Sequence, residues 1–140
     1  MNRRMVRHGL VLILLALISG FFVSATAIPR LALSAHTIGV LGGALLIALG
    51  AIWRHFSLSP LQGQVMTWTW LYSSYINWLA CLAGAVLGAG RMTPIAAAGV
   101  AASELSEGIV SFLFASVAVT SLVAVGLSLW GLRPHGRNAT

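Results

Sequence analysis

Apolar and polar positions do not alternate along this chain at either the helical or the strand period. They segregate instead into four long apolar runs divided by short polar segments. The runs cover residues 10–28, 31–53, 66–88 and 108–130, and none holds a charged side chain. Crossing a bilayer takes about 20 helical residues, and each run approaches or exceeds that length. Pro29 and Arg30 divide the first run from the second, because proline cannot continue a helix and pushes its predecessor out of the α region. Residues 54–64, with Pro60 and Gly63, make the second connection. Residues 90–107, rich in Ala and Gly, make the third and longest. The pattern predicts an all-α integral membrane protein, a four-transmembrane-helix bundle forming a single membrane domain over residues 1–140.

Composition narrows the class. Apolar residues make up 59% of the chain and charged residues 7%, against roughly a quarter charged in soluble domains. That excludes a soluble globular domain, a disordered chain and a nucleic-acid binder. All eight cations are arginines and only Glu104 and Glu107 oppose them. Arg3, Arg4, Arg7, Arg54, Arg133 and Arg137 fall on one side of the predicted membrane, Arg30 and Arg91 on the other. The excess puts both termini in the cytoplasm, as in a multi-pass protein of the cell inner membrane. Trp53 and Trp130 fall where interfacial aromatics belong. Ala25-Thr26-Ala27 after a basic start imitates a signal-peptide cleavage site, but the preceding apolar run is long for one. The single Cys81 provides no disulfide framework.

Small residues mark expected packing faces: Gly39 with Gly43, and Gly84 with Gly88. A chain this short has limited room for an interior site, which points to a homo-oligomer with sites between subunits. Polar groups at membrane depth are costly and therefore candidates for function. His36 lies about 7–8 Å below the outer end of the second run, at 1.5 Å per residue. It can ligate a metal or haem, relay a proton, or donate a hydrogen bond to a neighbouring helix. His8, His55 and His135 read as interfacial or solvated. The third run carries Trp68, Trp70, Tyr72, Ser73, Ser74, Tyr75, Asn77 and Trp78, too polar and aromatic for a face that only meets lipid. Asn77 lies near mid-membrane, where an unpaired amide is expensive. It either bonds another helix or orients a planar ligand. Glu104 and Glu107 share one face at the start of the last helix, where acids are favoured by the macrodipole. Glu107 can cap, pair with Arg30 or Arg91, or act as a general base. The sequence has no paired-Cys metal motif, phosphate-cradling glycine loop or metalloprotease helix.

The run Pro29-Arg30-Leu31-Ala32-Leu33-Ser34-Ala35-His36 resembles the second-helix entry of hydroxylaminobenzene mutases. So do Tyr72-Ser73-Ser74-Tyr75-Ile76-Asn77-Trp78-Leu79-Ala80 and Met92-Thr93-Pro94-Ile95-Ala96-Ala97. The segments Glu107-Gly108-Ile109-Val110-Ser111-Phe112-Leu113 and Leu129-Trp130-Gly131-Leu132-Arg133 continue the likeness to the end of the chain. Members of that family move a hydroxyl from nitrogen to the ortho carbon, giving 2-aminophenol. They are related to the membrane styrene oxide isomerases, which are trimers of four-helix subunits around haem b. The resemblance therefore implies a homotrimer and a haem b whose iron is ligated by His36, the position matching the isomerases' histidine. Gly42 stands where those isomerases have an asparagine. Aligning Asn77 with their helix-3 asparagine places Ser73 at their aspartate and Cys81 at their catalytic tyrosine, which argues against epoxide isomerisation.

By this resemblance the ferric haem is a Lewis acid. Tyr72, Tyr75 or Trp78 offers π-faces to an electron-poor ring, Asn77 orients the substrate, and Glu107 or a tyrosine moves the proton. The leading expectation is a membrane isomerase acting on an aryl hydroxylamine, a small aromatic partner. The alternatives are a haem-dependent epoxide isomerase, a haem carrier sharing the His36 ligand, and a small four-helix transporter. Such exporters need a carboxylate in the first helix, and residues 10–28 have none.

Overall fold

The computed structural model describes residues 1–134; His135 and Arg137 lie outside the described residues. Four long helices, α1 (Arg3–Gly20), α2 (Pro29–Ala51), α3 (Pro60–Leu87) and α5 (Glu104–Gly131), are joined by short turns and the single-turn α4 (Pro94–Ala97). The described residues contain no strand. Packing follows chain order: α1 lies on α2, α2 on α3 and α3 on α5, while α1 and α3 only graze one another.

Local chemistry sets the boundaries. Asn2 caps α1 by accepting the N–H groups of Arg4 and Met5 at 3.2 and 3.3 Å, so the helix starts inside the arginine segment. It stops at Gly20, eight residues short of the expected end at 28. The chain turns through a 3-10 segment at Val23–Ala25 before Pro29 opens α2 at its first position. Ile28 N–H donates to the Ala85 carbonyl of α3 at 3.0 Å and ties this turn down. Helix α3 starts at Pro60 rather than 66, because Ser59 and Gln62 form a reciprocal capping box. Gly88 ends α3 in the left-handed region at φ +71°. Gly88 is therefore a helix terminator and not the second half of a packing pair with Gly84. Ser103 caps α5, and Glu104 and Glu107 occupy its first turn.

Two core clusters divide the molecule along its length. One joins Ile28, Leu31, Ala35, Cys81, Ala85 and Ala97; the other joins Met5, Leu12, Leu46, Met66 and Leu71. Asn2 N–H donates to the Gly50 carbonyl at 2.7 Å and Ser57 N–H to that of Gly131 at 2.8 Å. Arg3, Arg4, Arg7, Arg54 and Arg133 thus gather at one end, and Arg30 and Arg91 at the other. Helices α2, α3 and α5 are long and apolar enough to cross a membrane. Of the four expected spans, α1 falls short on this measure. Its start is charged, and its uncharged part, residues 8–20, rises only about 20 Å against a hydrocarbon core of about 30 Å. On α5, Phe112 is 70% exposed and Leu122 76%, a surface suited to lipid or to another subunit.

The α1–α2 seam is the tightest contact. A Cβ on Gly43 would stand 2.6 Å from the Gly9 carbonyl oxygen, and one on Gly9 would stand 2.5 Å from that of Gly43. At Gly39 it would meet Ala16 Cβ at 2.6 Å and Trp78 Cδ1 at 2.8 Å. Alanine is favoured over glycine in a helix by about 1 kcal/mol, yet Gly43→Ala forces two backbones apart. We expect a net loss of about 1–3 kcal/mol, the usual cost of overpacking. Gly108→Ala, with nothing within 4 Å of its Cβ, should be neutral or stabilising. Thermal unfolding of both variants in detergent checks this, and an unchanged midpoint for Gly43→Ala would contradict the close approach.

Candidate functional site

His36 sits two turns into α2, facing α1. Its Nδ1 lies 2.8 Å from the carbonyl oxygen of Ala16. A carbonyl can only accept, so Nδ1 carries a proton, and in the neutral ring the lone pair is on Nε2. Nε2 has no partner among the described residues and is not sealed in the core. The ring has space because residue 20 is glycine: a Cβ there would stand 2.6 Å from Nδ1. The same Ala16 carbonyl accepts Ser19 Oγ at 2.8 Å, and Ser19 Oγ accepts Trp78 Nε1–H at 3.4 Å. Three helices therefore converge on the oxygen that orients His36. Sequence reading missed Ser19; an isolated serine in an apolar run gives no signal until its neighbours across the seam are known.

The remaining candidates lie elsewhere. Asn77 is partly buried, and no side-chain hydrogen bond joins it to any described residue. The interhelical bond considered for it is thus not made among the described residues. Tyr72 Oη donates to Ser116 Oγ on α5 at 3.0 Å. Tyr75 Oη donates to the His8 carbonyl at 3.1 Å and receives His8 Nδ1–H at 3.2 Å. His8, expected to be interfacial or solvated, is partly exposed and packs edge-on against Tyr75, with centroids 5.8 Å apart. Tyr72, Tyr75, Trp68 and His8 line an open cleft of about 950 Å³ between α1 and α3. His36, Asn77 and Glu107 do not line that cleft. Of the site candidates, only the two tyrosines come together there.

Glu107 is 4% exposed and accepts three backbone N–H groups, those of Gly90 (3.1 Å), Arg91 (2.9 Å) and Ala102 (3.4 Å). It takes the backbone of Arg91, not its guanidinium. The guanidinium bonds both oxygens of Glu104 at 2.8 Å, and that carboxylate raises the Arg91 pKa above its ordinary value. The expected side-chain pairing of Glu107 with Arg30 or Arg91 is corrected accordingly: Glu107 clasps the two ends of the α3–α5 connection. The positions the resemblance aligns with a carboxylate and a phenol hold small side chains. Ser73 Oγ donates to the Trp70 carbonyl at 3.3 Å, and Cys81 is a buried free thiol. At Gly42 a Cβ would meet Leu12 and Ser74 at 3.5 Å, an ordinary contact.

Three membrane-length helices, with an imidazole at the α1–α2 seam and an aromatic third helix, describe a small helical membrane protein. Comparison with known proteins gives its family. The styrene oxide isomerase profile matches residues 1–133, and the chain belongs to that family. Hydroxylaminobenzene mutase HabB of Ectopseudomonas oleovorans is 42% identical over 139 residues, 97% of this chain and 85% of the relative. Hydroxylaminobenzene mutase HabA of the same organism is 34% identical over 125 residues, 89% and 93% of the two chains. No solved structure matches. The protein is an enzyme of the isomerase and mutase class.

The clasp has a direct test. A glutamine at 107 replaces one acceptor oxygen with an NH₂ facing backbone donors. We expect Glu107→Gln to speed amide exchange at Gly90, Arg91 and Ala102 at least tenfold, equivalent to about 1.4 kcal/mol. The α1–α2 seam should be unaffected in exchange followed by mass spectrometry. Unchanged protection at those three amides would rule the clasp out.

Proposed function

We propose that the chain rearranges an aryl hydroxylamine, hydroxylaminobenzene or a close analogue, to the ortho-aminophenol. The observation that carries this reading is the 42% identity to a named hydroxylaminobenzene mutase across 97% of the chain. Ser73 and Cys81 support it further, because they supply neither the carboxylate nor the phenol of the epoxide branch. The reaction balances within the substrate. The N–O bond breaks, a C–O bond forms at the ortho carbon, that carbon loses a proton, and nitrogen gains one. No external oxidant or reductant enters.

The residues present fit a haem. His36 offers a single Nε2 lone pair, its tautomer set by the Ala16 carbonyl and its ring given space by Gly20. His36 would hold the iron, and the bound haem would supply a Lewis acid for the substrate oxygen. Ser19 and Trp78 keep the carbonyl in place and so position His36. Asn77, whose amide both donates and accepts, binds the hydroxylamino head. The faces of Tyr72, Tyr75 and Trp78 hold the ring. The Tyr72 hydroxyl, backed by Ser116, carries the proton from ring carbon to nitrogen. Glu107 is left out of the proton path because backbone donors occupy its oxygens. Of these groups only Tyr72 and Tyr75 share a cleft within one chain, so we place the site between subunits of a homo-oligomer, a trimer by resemblance. In this reading α1 also crosses the inner membrane, completing a four-helix transmembrane bundle.

Initial rates with hydroxylaminobenzene and with styrene oxide, on one membrane preparation, test the assignment by chromatography. We expect 2-aminophenol to form faster than phenylacetaldehyde. Asn77→Ala should lower turnover at least tenfold while leaving the Soret band. His36→Ala should lose that band while the protein still assembles. Rapid phenylacetaldehyde formation without aminophenol would move the chain to the epoxide branch, and an unchanged Soret band in His36→Ala would remove His36 as the ligand.

The arginine-rich end is assigned to the cytoplasm. A reporter fused after Thr140 should be cytoplasmic and one inserted at the exposed Gly99 should lie outside. The opposite result at both sites would invert the topology.

A further inference from the structure

We propose that the cleft between α1 and α3 is a binding site for an anionic phospholipid, its headgroup held at the arginine-lined mouth and its chain lying beside the tyrosine rings that the proposed function gives to the substrate. The argument starts from charge. Arg3, Arg4 and Arg7 stand in the first two turns of α1, at spacings of three and four residues that make like charges neighbours. They also sit at the helix end where the macrodipole already disfavours cations. No acid occupies that first turn. The chain's two acids, Glu104 and Glu107, are at the far end of the molecule, held by Arg91 and by backbone amides. The cluster therefore has no acidic partner among the described residues.

The cleft beside it has an amphiphile's profile. Arg4 lies 4.4 Å from the centroid of Trp68, a cation–π contact that fixes its guanidinium at the mouth. Arg3, Arg4 and Arg7 line that mouth, and deeper in the wall becomes Val11, Leu71 and Ile76 with the tyrosine rings. Tyr75 turns its hydroxyl to His8 and so presents ring to the cleft. The volume, about 950 Å³, is at the upper end of the roughly 300–1,000 Å³ usual for ligand sites. Guanidinium groups bind phosphate through paired N–H bonds. A phosphate diester at the mouth with an acyl chain along Val11, Leu71 and Ile76 satisfies both halves. Free phosphate leaves the apolar wall uncovered, and a zwitterionic lipid brings its own cation to three others.

Native mass spectrometry of the full chain, released from nanodiscs of equal phosphatidylglycerol and phosphatidylcholine, reads the occupant and the subunit count together. We expect one phosphatidylglycerol retained per subunit, preferred at least tenfold over phosphatidylcholine, and no binding of inorganic phosphate. Arg4→Gln/Arg7→Gln should abolish the preference, whereas Arg54→Gln/Arg133→Gln, at the same end but outside the cleft, should keep it. Val11→Trp, which fills the apolar part and leaves every charge, should also lose the lipid; it serves if the double arginine variant fails to fold. Equal retention of the two lipids, or a preference that survives Val11→Trp, would overturn the proposal. So would a changed subunit count in the arginine variant with no change in bound lipid, which would make the occupant a second copy of the chain.

Discussion

The close approach of α1 and α2 governs the rest of this structure. The contacts recur every seven residues on both helices: Asn2 against Gly50, Gly9 against Gly43, Ala16 facing His36. Two turns of helix separate successive contacts, so the same faces return to the seam. Glycine at 9 and 43 lets backbone meet backbone, which draws the next contact within hydrogen-bonding distance. There the seam changes character. In place of another small residue on α2 stands an imidazole, and α1 accommodates it with a carbonyl at Ala16 and open space at Gly20. The geometry of His36 is thus a product of helix spacing set some 10 Å away, at about 1.5 Å per residue. A wider seam would leave the imidazole's proton without its acceptor.

Hydropathy made the helices legible because lipid-length runs without charge have few other uses. It placed their ends poorly, and for a physical reason. Hydropathy measures preference for an apolar medium, while helix ends are set by unsatisfied backbone groups. Residues 21–28 are as apolar as the helix before them, yet Pro29 must begin α2 and the chain has to turn first. Conversely, residues 60–65 are too polar to join an apolar run, and still the Ser59–Gln62 box starts α3 there. Both the box and the proline are readable signals; an apolar-run criterion passes over them.

The site was less legible than the fold. A histidine inside an apolar run announces itself, but its tautomer depends on Ala16, twenty residues earlier, and nothing in the sequence singles out that carbonyl. The aromatic residues of α3 were legible as a group, whereas their division among α1, α5 and the open cleft was not. Helical spacing tells which residues share a stripe but not which neighbour that stripe meets. Glu107 shows the same limit. Its position in the first turn of α5 fits capping, pairing or catalysis equally well. Only the return of the 90–102 segment, bringing three N–H groups to one carboxylate, separates them.

The scarcity of ionisable groups constrains what chemistry the fold can host. Both carboxylates are engaged, one by Arg91 and one by backbone amides, and the chain has no lysine. The imidazole of His8 is bonded to Tyr75, and that of His36 donates its proton to a carbonyl. Among these groups a reaction needing a strong base beside a strong acid finds no free pair. An isomerisation that carries its own leaving and entering oxygen asks for much less. It needs a group that binds the oxygen, surfaces that hold an aromatic ring, and one hydroxyl able to pass a proton a short distance. Nε2 of His36 and the Asn77 amide, which have no partner among the described residues, and the mutually bonded Tyr72 and Ser116 hydroxyls are of those kinds. His36 and Asn77 do not line the cleft that Tyr72 and Tyr75 share, and the homo-oligomer proposed above is the arrangement that would bring these groups to one site.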